Sequence, residues 1–188
     1  HIGLHIFSPV AGCSELVTAA IVYRHLRLAP TIVFCERNNG RPCYACPKCF
    51  RKTLALHCCA VRAAATGPGA DTTVRVHAMQ AARAALYRYN SNAVRRFLRT
   101  RPLGMAHVFC EAFRQLGTAV PPRLRACLRN VVVPHQLDTQ MFHKIYTRSF
   151  VYFPPALRNT IEQRIRCVAR TMTAQEETAL SRWDQNGR

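Results

Sequence analysis

Four cysteines within fifteen residues, Cys35, Cys43, Cys46 and Cys49, constrain this chain more than any other feature of its sequence. They stand in VFCERNNGRPCYACPKCFRKTLAL, with gaps of seven, two and two residues. Two residues between cysteines let one turn of backbone present both sulfurs to one ion. Asn38, Asn39 and Gly40 are turn residues that let the chain reverse so that Cys35 closes the set. Four thiolates hold a divalent ion in a closed tetrahedron with no position left for substrate. Zn2+ is the expected ion and its role is structural, because the thiolates are not assembled in an unfolded chain and binding energy becomes folding energy. The same sulfurs could serve an iron–sulfur cluster, a redox disulfide (Cys43 with Cys46, or Cys46 with Cys49), or no ligand at all. Arg41, Lys48, Arg51 and Lys52 flank the cysteines and offset the negative charge of such a centre. His57, further along the following helical pattern, is either a substitute ligand or an ordinary helix-face residue.

Six more cysteines (13, 58, 59, 110, 127 and 167) are scattered. That usage fits an intracellular reducing compartment with a metal site rather than a secreted disulfide scaffold. The formal net charge is +18, from 27 basic and 9 acidic residues, and 24 of the basic residues are arginine. So large a surplus predicts a polyanionic partner, and RNA before a small metabolite. Arginine adds bidentate phosphate contacts and base stacking to simple attraction. An acidic protein partner, or arginine-rich codon usage with no polyanion, are the other readings. No apolar run approaches the roughly 18 residues of a membrane helix, so membrane insertion is not expected. The chain opens on His1 rather than methionine, and preceding sequence is expected.

Along the chain, residues 2–8 and 31–34 read as strands, with a helix between them from Ser14 to Arg27. A second helix follows the cysteines and stops at Thr66-Gly67-Pro68-Gly69. Residues 72–77, TTVRVH, read as extended, and 78–99 as one strongly basic helix. Further helices are expected at 105–116, 122–130 and 156–169, with an aromatic-rich stretch MFHKIYTRSFVYFPP and a polar tail. This gives two domains, an α/β piece at 1–66 and a basic, mainly helical extension at 67–188.

The segments LHIFSPVAGCSELVTAAIV and TIVFCERNNGRPCYACPKCFRKTLAL resemble the C-terminal end of the PP-loop ATP pyrophosphatases. These adenine-nucleotide alpha-hydrolase-like proteins include the 7-cyano-7-deazaguanine synthases. The resemblance covers residues 4–60 and places Pro9, the first helix, Cys35, Cys43, Cys46, Cys49 and Arg51 on family positions. It implies the end of a Rossmann-like α/β fold with a zinc knuckle, its sheet completed by preceding sequence. The family's Ser-Gly-Gly-x-Asp-Ser nucleotide loop has no counterpart here, and Ser14-Glu15 stands where relatives often carry a lysine.

Catalytic signals are thin. His107 and Glu111 share a helical spacing but form no HExxH motif, and nine acids leave few candidates for acid–base or magnesium chemistry. Arg83, Arg88, Arg95, Arg96, Arg99 and Arg101 are the candidate RNA contacts. Tyr87, Tyr89 and Phe97 among them either stack on bases or pack inward. The sequence therefore reads as a noncatalytic, zinc-stabilised RNA-associated component of a large ribonucleoprotein, with neighbouring proteins as further partners. Such an assembly would be, for example, a mitochondrial ribosome or its assembly intermediate, in the matrix. The alternatives are a fragment of an ATP-dependent PP-loop modifying enzyme and a protein-only scaffold.

Overall fold

A computed structural model describes residues 13–24, 35, 38–66, 71–100, 106–135, 139–167 and 169–186. Eight α-helices account for most of them: α1 (Glu15–Arg24), α2 (Pro47–Thr66), α3 (Thr72–Tyr87), α4 (Ser91–Thr100), α5 (Ala106–Leu116), α6 (Pro122–His135), α7 (Pro155–Arg166) and α8 (Ala174–Asn186). Short 3-10 turns occupy Gly117–Ala119, Thr139–His143 and Thr147–Tyr152. The chain gathers into two compact units, one of residues 19–139 and one joining 1–18 to 140–188.

The α/β expectation is corrected by this architecture. Among the described residues there is no strand and no sheet, only one isolated parallel bridge between Ile145 and Thr171. The two expected strands, 2–8 and 31–34, lie outside the described residues. The described part is helical with a four-cysteine cluster, and it presents no Rossmann-like sheet for preceding sequence to complete. Residues 72–77 are also helical rather than extended. Alternating Thr and Val favour a strand only where a neighbouring strand supplies hydrogen bonds. Here Asp71 instead caps a helix, its carboxylate accepting the Thr73 N–H at 2.7 Å. The single basic helix expected over 78–99 is two helices, because the Asn90 side chain caps α4 by accepting the N–H groups of Asn92 (2.9 Å) and Ala93 (3.2 Å).

In the 19–139 unit, α2 is the central element, packed on α3 and α5, while α6 packs on α4 and α5. Phe50, Leu54, Cys58 and Val61 recur at helical spacing along α2 and are fully buried. Leu86, Val94, Phe109, Leu116 and Leu128 come from the surrounding helices. Each such large side chain contributes about 1.5–3 kcal/mol through its removal from water. Glu111 is buried among them at 0% exposure. Its carboxylate is satisfied by Arg114 (2.8 Å), Gln115 (3.1 Å) and the Thr139 hydroxyl (2.5 Å).

In the other unit Ser14 caps α1, its hydroxyl accepting the Val17 N–H at 3.2 Å and donating to the Phe142 carbonyl. The stretch expected to be a polar tail is α8, opened by a capping box. Thr173 Oγ1 accepts the Glu176 N–H (3.3 Å) while Glu176 accepts the Thr173 N–H (2.8 Å). Glu177 is buried on the next position and accepts the Thr147 N–H (2.9 Å), the Thr147 hydroxyl (2.6 Å) and Arg148 Nε (3.2 Å).

Candidate metal centre

Local backbone preferences deliver the four sulfurs. After Cys35 the chain folds back at once, its carbonyl accepting the N–H groups of Asn38 (3.3 Å) and Gly40 (3.0 Å). Asn39 and Gly40 have φ values of 44° and 80°, a left-handed conformation that Asn and Gly adopt at least cost. Cys46 then serves as the N-cap of α2: its Sγ accepts the Cys49 N–H at 3.4 Å, and its carbonyl the Phe50 N–H at 3.2 Å. Pro47 sits at the first helical position, where its missing N–H costs nothing. A cysteine at the cap and another three residues later place both sulfurs at the N-terminal end of α2, on one side of its first turn.

The Sγ atoms of Cys35, Cys43, Cys46 and Cys49 all lie within 4.8 Å of one another. Those of Cys43 and Cys49 are 3.8 Å apart. A tetrahedron of about 2.3 Å metal–sulfur bonds has edges of about 3.8 Å, so the arrangement fits a tetrathiolate ion. It is too long for a disulfide, whose sulfurs stand about 2.05 Å apart, and all ten cysteines are free thiols. Cys35 and Cys49 are buried and Cys43 and Cys46 partly so, which shields a bound ion on its inner side.

The thiols divide in character. Burial pushes the Cys43 thiol up, but the Ala45 and Cys46 amides and the Cys46 and Cys35 thiols together bring it down to about 6. Burial pushes Cys49 up to about 12, with the Cys46 and Cys43 side chains adding to the rise. Crowding forbids four thiolates side by side without a cation, so uptake of a divalent ion would release protons. His57 is half-buried on α2, is not among the clustered donors, and has its imidazole pKa lowered by burial.

The expected RNA-contacting arginines are not all alike. Arg83 on α3, Arg88 at its C-cap, and Arg95 and Arg96 on α4 are exposed. Arg99 belongs to the last turn of α4, and Arg101 lies outside the described residues. From Thr72 to Thr100 there is no acidic residue. A cleft of about 400 Å³ runs along α3, lined by Arg75, Val76, Met79, Arg83, Thr118 and Ala119. Of the aromatics, Tyr87 is 56% exposed under the Arg83 guanidinium, while Tyr89 is buried against Tyr44 and Phe50, and Phe97 lies against Phe50. In the aromatic-rich stretch Phe150 and Phe153 are core residues and Tyr152 is 75% exposed. Among the described residues no helix is long and apolar enough to cross a membrane.

Residues 1–184 match a family of unknown function, DUF6395. The chain belongs to this family. No curated protein and no solved structure matches it. The family match takes in residues 4–60, the stretch that resembles the PP-loop pyrophosphatases, and the helical architecture corrects that resemblance. The described residues of that stretch are helix and loop, and among them no part of a PP-loop or Rossmann nucleotide-binding fold is present. What the two have in common is a cysteine spacing, and a closed metal knuckle can stabilise unrelated folds. Members of DUF6395 are thus represented here by a helical chain with a four-cysteine cluster able to hold a metal ion. Spacing alone marked those ligands. The supporting residues Tyr44, Tyr89 and Asn90 carried no such signal, because their role depends on contacts between distant helices.

Proposed function

We propose that this protein is a noncatalytic, zinc-stabilised RNA-associated structural component, with zinc on Cys35, Cys43, Cys46 and Cys49 and RNA along α3 and α4. The observation that carries the RNA reading is the segment from Thr72 to Thr100, which contains no acidic residue and exposes Arg83, Arg88, Arg95 and Arg96. A phosphate backbone is attracted by these guanidinium groups. The α3 cleft offers an apolar floor beside Arg75 and Arg83, suited to a base with phosphates at its edge. Zinc is the ion proposed because four sulfurs within 4.8 Å of one another suit a single tetrahedral ion rather than a multi-iron cluster. Ten free thiols suit a reducing compartment.

A salt titration of affinity for a single-stranded RNA tests the reading. The wild-type chain should bind with a steep salt dependence and little base preference. The triple variant Arg83→Gln, Arg95→Gln, Arg96→Gln should bind weakly and with a shallower slope while keeping its zinc. Equal slopes for the two proteins would remove RNA from the proposal and leave the metal centre standing.

A further inference from the structure

The cysteine loop and the basic face meet at one side chain, Tyr44. It lies between Cys43 and Cys46 with a φ of 53°, a conformation that a bulky residue holds only when its surroundings dictate it. Its carbonyl accepts the Asn90 N–H at 3.2 Å. Its ring stands edge-on to Tyr89 at 5.2 Å, and the Arg88 guanidinium lies 4.0 Å over the ring centroid. Tyr44 therefore holds three consecutive residues, Arg88, Tyr89 and Asn90, which form the whole elbow between α3 and α4. The last of them caps α4.

The elbow is gripped from a second direction by the helix that the ligands open. Tyr89 exchanges a 2.7 Å hydrogen bond with the Thr53 hydroxyl and packs 5.1 Å from Phe50, both on α2. Cys46 caps that helix and Cys49 lies in its first turn. Two routes thus run from the sulfurs to the elbow, one through Tyr44 and one through α2, and both end on Tyr89.

From this we infer that the metal knuckle is a lock on the arginine face: with the ion bound, Tyr44 fixes the α3–α4 elbow and thereby the setting of Arg95 and Arg96 relative to Arg83. Loss of the ion frees the loop around Tyr44, and the elbow loses one of its two supports. Metal occupancy then regulates polyanion affinity although no ligand sulfur touches the polyanion. This rests on the RNA reading for its consequence, but the lock itself is measurable without RNA.

The test uses the full chain and the variants Tyr44→Gly and Arg88→Ala. Glycine accepts the left-handed backbone, so Tyr44→Gly removes the ring while leaving four ligands in place. Zinc content should stay at about one per chain, as in other closed sites. Hydrogen exchange at the Asn90, Asn92, Ala93 and Val94 amides should quicken at least about fivefold in both variants, and in the wild type after chelation. Affinity of Tyr44→Gly for a single-stranded oligonucleotide should fall by about threefold or more, with Tyr44→Phe close to wild type. Wild-type exchange at those amides in both zinc-loaded variants would overturn the lock. A wild-type chain that binds no oligonucleotide, but whose variants and chelated form show the quickened exchange, would sustain the lock and defeat the RNA reading instead.

Discussion

Cys46 performs two tasks with one sulfur, capping α2 and standing as a candidate metal ligand. Serine in its place would keep the cap and lose the thiolate. Cys46→Ser should therefore bind metal poorly and melt about 4–8 °C lower, corresponding to about 2 kcal/mol for a chain of this size. Metal analysis of the purified variant beside its thermal transition decides the point, and unchanged metal content would remove Cys46 from the centre. Glu111 is the other residue whose chemistry outweighs its prominence in the sequence. Spacing pairs it with His107, yet the carboxylate is engaged by Arg114, Gln115 and Thr139 inside the core. Glu111→Ala should cost about 2–3 kcal/mol, since it leaves the buried Thr139 hydroxyl unpaired and a void where the side chain was. Denaturant unfolding measures this, and a loss below about 0.5 kcal/mol, the range of an ordinary surface change, would contradict it.

At the scale of elements, caps decide where this chain bends. Asp71, Asn90 and Thr173 each start a helix by accepting N–H groups that would otherwise be unsatisfied. Thr173→Ala should loosen α8 by about 1 kcal/mol, visible as faster exchange of its first-turn amides. The same helix makes its unit acid-sensitive. The Lys144 ammonium, followed by the Thr173 amide, holds the Glu176 carboxyl below its ordinary value of 4.5. Burial opposes ionisation of Glu177, but the Thr147 hydroxyl and amide and Arg148 prevail and hold it down too. Both carboxyls are lower in the folded chain than in the unfolded one. Their stabilisation is thus complete above the ordinary value and is lost as pH falls through the folded-state values. Glu177→Gln should flatten the acid limb of a stability–pH curve while lowering stability at neutral pH. An acid limb identical to wild type would show that Glu177 does not set it.

For the whole molecule the charge balance dominates. A surplus of 18 positive charges repels itself in the compact state and is relieved by any polyanion. If Arg83, Arg88, Arg95 and Arg96 each neutralise one phosphate, replacing all four with glutamine should reduce the logarithmic salt slope by about 3 on a single strand. A reduction confined to affinity, at constant slope, would point to shape rather than charge at this face.

The metal cluster was legible in the sequence because its four donors are close along the chain, and gaps of two residues have few ways to be satisfied other than a knuckle. The helices with clear apolar periodicity, α2 and α5 among them, were legible for the same local reason. The α/β reading failed because a cysteine spacing was made to stand for a fold, although the spacing constrains only the sulfurs. The start of α3 and the split between α3 and α4 were misread for a related cause. A Thr/Val alternation and a run of arginines are each compatible with two structures, and an Asp or Asn cap decides between them only once the packing is set. Tertiary structure alone brought Tyr44 under Arg88, buried Tyr89 beside Thr53, and closed Glu111 inside the core. Those are contacts between residues 28 to 44 positions apart, where local propensity is silent and close packing chooses the partners.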